Sequence, residues 1–200
     1  GIYPLGSCTM KYNPRVNEKV ARYPGFSAIH PLQPMKTAQG ALEVIYRLQE
    51  WLGKLTGMER VAMSPAAGAH GELCGMMCIR QAIEDRGEAD QRKIVLVPAS
   101  AHGTNPATAV MCGFKPLYLE AKADGRIDLE DLKSKMNDNV AAMMLTNPNT
   151  CGLFEREIAD AAEILHKNGS FFFCDGAKFN ALLGRGKGAD PCVGALHHNM

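Results

Sequence analysis

The chain has 200 residues and a formal net charge of +1, and its lysines and arginines form no block, so nothing electrostatic points to nucleic acid or a membrane surface. Hydrophobic residues make up 46% and charged residues 22%, the proportions of an ordinary globular domain with one sizeable core, and no apolar run approaches membrane-spanning length. Cysteines are odd in number and scattered, at Cys8, Cys74, Cys78, Cys112, Cys151, Cys174 and Cys192, which suits thiols serving as small core residues in a reducing compartment.

The chain opens at Gly1 with no initiator Met and no signal-like segment, so it is expected to be cut from something longer or to lack its natural start. Residues 1–35 are predicted to be an irregular arm, because Pro4, Pro14, Pro24, Pro31 and Pro34 recur too often for regular structure. Residues 36–200 form the main domain. A helix is predicted from Thr37 to Thr56, where Ala38, Ala41, Leu42, Ile45, Leu48, Leu52 and Leu55 recur at three and four and Gly57 supplies the stop; Trp51 reads as a packing residue. A short strand, Arg60 to Ser64, then leads into the small-residue turn Pro65-Ala66-Ala67-Gly68-Ala69-His70-Gly71-Glu72. Such a turn lets backbone N–H groups approach an anion at a helix start, and equally serves as a tight strand–helix connection. The helix after it carries Leu73, Met76, Met77, Arg80 and Ile83 to about Gly87. His70, Cys74 and Cys78 share a face of it, but no further cluster completes a tetrahedral set, so no metal is expected.

Ile94 to Val97 reads as a buried strand and ends in Pro98-Ala99-Ser100-Ala101-His102-Gly103-Thr104-Asn105-Pro106. A lone His on such a loop is more often a hydrogen-bonded loop residue than a ligand. A helix from Asn105 to Cys112, a strand from Lys115 to Leu119 and a helix capped by Asp128 follow, with acidic residues in its first turn. The strand Val140 to Leu145 runs into Thr146-Asn147-Pro148-Asn149-Thr150-Cys151-Gly152, where Thr and Asn could bind a ligand or form an Asx-turn. Glu155 to Lys167 is predicted to be an amphipathic helix stopped by Gly169. Phe171-Phe172-Phe173-Cys174 then delivers Asp175 to the end of a buried strand. Alone, Asp175 would cap a helix or start a turn; a carboxylate buried there also needs a partner. Strand and helix alternate with no hairpin signal, so the fold class is α/β, a mainly parallel sheet with helices on both faces. The chemically interesting residues follow strands, at the edge where open α/β sheets bind ligands.

Five strings, GSCTMKYNP, PAAGAHGE, SAHGTNP, LTNPNTCGLFE and DGAKFNA, stand in this order along nearly the whole chain. Together they resemble the glycine decarboxylase family, the P-protein of the glycine cleavage system, and through it pyridoxal-phosphate (PLP) enzymes of the aspartate-aminotransferase fold type. The resemblance implies the PLP-binding large domain of that fold, incomplete at its C-terminus, with the Schiff-base lysine just past Met200, since His197 and Asn199 fall in the family's register. It implies that Asp175 pairs with the pyridine nitrogen, that His102 and Ala177 lie on opposite ring faces, and that the turn Ala67, Gly68, Ala69 and His70 holds the phosphate. Thr146 and Asn147 would reach the cofactor, and Ser7, Thr9 and Asn149 the substrate. The implied substrate is glycine, and the implied partners are a lipoylated H-protein and a partner P-protein subunit or half, in an oligomer. Its compartment would be the cytoplasm of a bacterium or the mitochondrial matrix of a eukaryote. Lys178, where the family usually has Asn, and the stretch Arg185 to Ala195 depart from the pattern. The alternatives are another PLP decarboxylase or lyase of the fold, and a noncatalytic partner subunit; Asp175 and His102 favour the catalytic half.

Overall fold

A computed structural model describes residues 14–177 and the backbone of 196–197. The chain divides into two compact units between Trp51 and Leu52, not at 35/36. In the first unit, the part of the expected arm that is described holds two short helices, α1 (Arg15–Ala21) and α2 (Pro24–Ser27), and Met35–Thr37 forms a 3₁₀ turn. The prolines work as starters here. Pro14 precedes α1, Pro24 is the first residue of α2, and Pro34 precedes the 3₁₀ turn. At a helix start the missing N–H has no helical partner to lose and the fixed φ already suits the helix. The division falls within α3 (Gln39–Thr56). Of the apolar stripe that predicts α3, Leu42, Ile45, Leu48 and Leu55 are 41–49% exposed, and Trp51, expected to pack, is 61% exposed.

The second unit is a parallel sheet with helices on both faces. Its elements are α4 (Gly68–Asp85), β1 (Ile94–Pro98), α5 (Thr104–Met111), β2 (Lys115–Leu119), α6 (Leu129–Lys135), β3 (Val140–Thr146), α7 (Ile158–Lys167), β4 (Phe171–Asp175) and β5 (Leu196–His197). The strand order is β2-β1-β3-β4-β5, and every pairing is parallel. The strand expected at Arg60 to Ser64 does not form; that segment pairs with no strand among the described residues, and an extended run without a ladder partner is not a strand. Asp128 caps α6, its carboxylate accepting from the Glu130 N–H at 2.9 Å.

Strand side chains alternate between two apolar layers. Leu96, Met143, Leu145, Phe172 and Cys174 face Leu132 of α6 and Ala161 and Leu165 of α7. Val95, Val97, Ala141, Met144 and Phe173 face Met76, Ile79 and Ile83 of α4 and Ala109 of α5. Near the amino ends of the strands the buried Arg92 ties the sheet together. It donates to the carbonyls of Val140 and Asn168 (2.7 Å each), to the Ser170 hydroxyl (3.3 Å) and to the Glu88 carboxylate (2.7 Å). Gly169 sits beside it at φ +73°, where a Cβ would meet the guanidinium at 3.0 Å; glycine satisfies both constraints.

Candidate active site

The alternation along β4 decides where its carboxylate goes. Phe173 faces the α4/α5 layer, and Asp175, two residues on, faces the same way; on β3, Met144 and Thr146 do likewise. Thr146 and Asp175 are register neighbours, and the Thr146 hydroxyl donates to Asp175 Oδ2 at 3.0 Å. From α5, the fully buried Asn105 approaches the same oxygen through Nδ2 at 3.4 Å. From the first turns of α4, Glu72 accepts from Asn105 Nδ2 at 2.7 Å. The Ala177 N–H closes the far side, donating to Asp175 Oδ1 at 3.0 Å. Glu72, Asn105, Thr146 and Asp175 are each at most 2% exposed, so four elements meet in one dry polar cluster at the carboxyl ends of β3 and β4.

His102 lies on the loop that leaves the carboxyl end of β1, and its ring is exposed. Its Nδ1 accepts the Thr104 N–H at 3.3 Å and lies 2.7 Å from the Thr104 hydroxyl, which fixes the ring's rotation and leaves the faces clear of that bond. At the start of α4, Ala67 is the extended N-cap, with no side-chain cap. The N–H groups of His70 and Gly71 turn back to the Ala67 carbonyl at 3.0 and 3.1 Å. The expected anion-facing set therefore narrows: His70 spends its amide inside the helix, while the N–H groups of Ala67 and of the first two helical residues, Gly68 and Ala69, have no acceptor among the described residues.

The loop after β3 departs from expectation. Asn149, expected at a substrate, is 1% exposed; its amide donates to Glu155 (2.8 Å) and to the Gly125 carbonyl (3.2 Å) and accepts from the N–H groups of Cys151 and Leu153. Asn147 is also buried, and its Oδ1 accepts the Glu155 N–H at 3.0 Å. Thr146 reaches Asp175, so it stands behind the carboxylate instead of facing a ligand independently. Glu155, expected in a helix, precedes α7; its fully buried carboxylate takes the Ile127 N–H at 3.2 Å and the Asn149 amide. Ser7, Thr9 and Lys178 lie outside the described residues, and His197 is described in its backbone only. Reasoning from sequence alone missed Glu72, Thr104, Asn105 and Glu155. All four stand inside the quoted strings, but apart from the local bonds of Thr104 to His102 and of Glu155 to Asn149 their partners lie on other elements.

Burial, and then the neighbouring Cys78, push the Cys74 thiol up; burial pushes Cys112 up against an opposing pull from Arg80. Among the described residues no three His, Cys, Asp or Glu side chains are placed to hold a metal ion, and no helix is long and apolar enough to cross a membrane.

Comparison with known proteins adds three findings. A family model described as Aminotransferase class-V matches residues 70–180. A Caulobacter vibrioides protein named "Probable glycine dehydrogenase (decarboxylating) subunit 2" is 59% identical over 199 residues, covering 100% of this chain and 38% of that protein. A Bacillus licheniformis protein of the same name is 53% identical over 200 residues, 41% of its length. The chain thus spans about two fifths of the curated relatives it matches. Among solved structures, the inhibitor-bound glycine decarboxylase (P-protein) of the glycine cleavage system superposes with a TM-score of 0.72 at 25% identity, over 90% of this chain and 39% of that one. A NifS-like protein, at 16% identity, TM-score 0.65 and coverage of 85% of this chain and 47% of its own, shares the fold.

Proposed function

The chain belongs to the aminotransferase class-V family, and from that premise we propose that it is the cofactor-binding part of a PLP-dependent glycine decarboxylase, passing the aminomethyl group of glycine to a lipoylated H-protein. The names of its relatives support the substrate and, through "subunit 2", a partner subunit in an oligomer; their bacterial sources support a cytoplasmic setting. The observation that carries the reading is the buried Asp175 carboxylate at the carboxyl end of β4, held by Thr146, Asn105 and Ala177.

The residues present fit PLP by the chemistry of their donors and acceptors. The cofactor has an anionic phosphate, a ring nitrogen that takes a proton, and two flat faces. Two unengaged N–H groups, of Gly68 and Ala69, open an 18-residue helix, and a helix start favours an anion. Asp175 supplies the negative charge that a protonated ring nitrogen needs. His102, its rotation set by Thr104, presents a flat ring, and Ala177 a small side chain for the other face.

PLP, when bound, supplies an electron sink for the charge left as the carboxyl group of glycine departs. Asp175 holds the proton on the ring nitrogen, because an adjacent carboxylate favours the cationic form. Thr146 and the Ala177 N–H fix the two carboxylate oxygens, so this proton is held in one place without reorganisation. His102 and Ala177 would hold the cofactor's ring between them, and holding the reacting group in a fixed orientation would contribute to the rate.

The test is Asp175→Asn in the complete protein as made from its natural gene, measured by exchange of the glycine carboxyl with bicarbonate while bound PLP is monitored. Asn keeps the shape and can still accept a hydrogen bond, but removes the charge. Loss of about 3–4 kcal/mol of stabilisation should slow exchange roughly a hundred- to thousandfold with PLP at least partly retained. Exchange within a few-fold of wild type, with PLP bound, would remove Asp175 from the mechanism.

A further inference from the structure

Behind Asp175 stands a second buried carboxylate. Glu72 is 2% exposed on the inner side of α4, beside the core residue Met76, where burial of a charge is costly and an apolar side chain would pack. What it does there is grip Asn105: Asn105 Nδ2 donates to Glu72 Oε1 at 2.7 Å and reaches Asp175 Oδ2 at 3.4 Å. The three residues come from α4, α5 and β4, so no local structural requirement groups them.

The amide leaves one choice of orientation. Its nitrogen only donates and its oxygen only accepts. Both carboxylates lie on the nitrogen side, and the Thr146 hydroxyl lies 3.3 Å from the oxygen. Reversed, the amide would set its oxygen against two carboxylates. The Glu72 bond is the shorter of the two and therefore decides the orientation; the longer reach to Asp175 follows from it.

We propose that Glu72 is a positioning residue: acting through the Asn105 amide, it holds the Asp175 carboxylate in the orientation that meets the cofactor's ring nitrogen. The proposal rests on the PLP reading above. In this scheme Glu72 acts on the cofactor's site through the Asn105 amide, which donates to it at 2.7 Å.

A double-mutant cycle in the complete protein tests it, read as the dissociation constant for PLP added to apoprotein, with urea unfolding of the apoprotein in parallel. Glu72→Ala and Asn105→Ala should each weaken PLP about tenfold, the scale of a lost charge-assisted hydrogen bond. The double variant should be no weaker than Asn105→Ala alone, because the effect proposed for Glu72 reaches Asp175 through that amide. Glu72→Gln, which keeps an acceptor at Oε1, should stay within about threefold of wild type. Where Glu72→Ala does not fold, Glu72→Leu removes the acceptor while keeping bulk, and the same tenfold loss is expected. Wild-type PLP affinity in the Ala or Leu variant, even with a less stable apoprotein, assigns Glu72 to packing and overturns the proposal; so do losses that multiply in the double variant. Failure of the wild-type protein itself to bind PLP overturns the underlying reading, a result visible before any variant is made.

Discussion

The two edges of the sheet each bury charge, in opposite ways. At the amino edge one cation, Arg92, is met by two carbonyls, a hydroxyl and a carboxylate, all belonging to the segments it joins. At the carboxyl edge two carboxylates, Asp175 and Glu72, gather around the neutral side chains of Asn105 and Thr146. The first arrangement is a rivet: the fork of a guanidinium matches fixed acceptors, and nothing further is required of it. The second concentrates negative charge where backbone N–H groups and an exposed imidazole are also presented, and suits a ligand that is cationic at one end and anionic at the other. Buried charge alone therefore does not mark a site; its sign, and what shares its edge, do.

Removing the rivet should give the largest change in stability. Arg92→Ala leaves the Asn168 carbonyl and Glu88 without their donor and should cost about 2–4 kcal/mol in urea unfolding of the apoprotein, while PLP affinity of the folded fraction stays near wild type. A large loss of PLP affinity with unchanged stability would erase the distinction between the edges. His102→Ala should show the converse, weakening PLP about tenfold while stability moves by less than about 0.5 kcal/mol, since the ring is exposed. His102→Phe should retain most of the affinity if the ring acts as a flat surface; Phe and Ala behaving alike would point to hydrogen bonding or proton transfer. Gly169→Ala sharpens the rivet side, where a positive φ and the guanidinium 3.0 Å away both oppose a Cβ, and about 1–2 kcal/mol should be lost.

The smallest effect lies beside the carboxyl end of β2, outside the Asp175 cluster, and is a control for pH. The Lys135 ammonium, with the Glu120 N–H, holds the Asp131 carboxyl below its usual range. A carboxyl depressed in the folded state contributes stability above its unfolded pKa, and that contribution is lost as pH falls through the lower folded value. Asp131→Asn should therefore cost about 0.5–1 kcal/mol at neutral pH, and the gap to wild type should close in acid, below the folded pKa. A gap that persists there would mean the loss is one of shape and not of charge.

Much of this was readable in the chain. β-branched and aromatic runs located β1 to β4 almost to the residue, and Asp175 could be placed at a strand end because a short apolar run stops on a charge. The misses share a physical origin. Arg60 to Ser64 has a strand's composition but finds no neighbour, and pairing is not a local property. Pro14, Pro24 and Pro34 read as breakers because a proline's effect depends on whether it stands inside a helix or at its first turn. Glu155 looked like a helix residue by periodicity, yet its carboxylate is claimed by the Ile127 N–H, 28 positions away. Asn105 and Glu72 were in view as letters, but their meaning lies in contacts across 33 and 70 positions that no spacing rule encodes.

β4 also carries a reading frame of two. Phe173 and Asp175 fall on the odd count and face α4 and α5; Phe172 and Cys174 fall on the even count and face the layer that holds Leu145 and Leu165. Losing a single residue from Phe171–Phe173 would swap odd for even and drive the carboxylate into that apolar layer. The strand can thus change by substitution but not by length, and any insertion or deletion this protein tolerates near the site must fall in the loops that follow its strands.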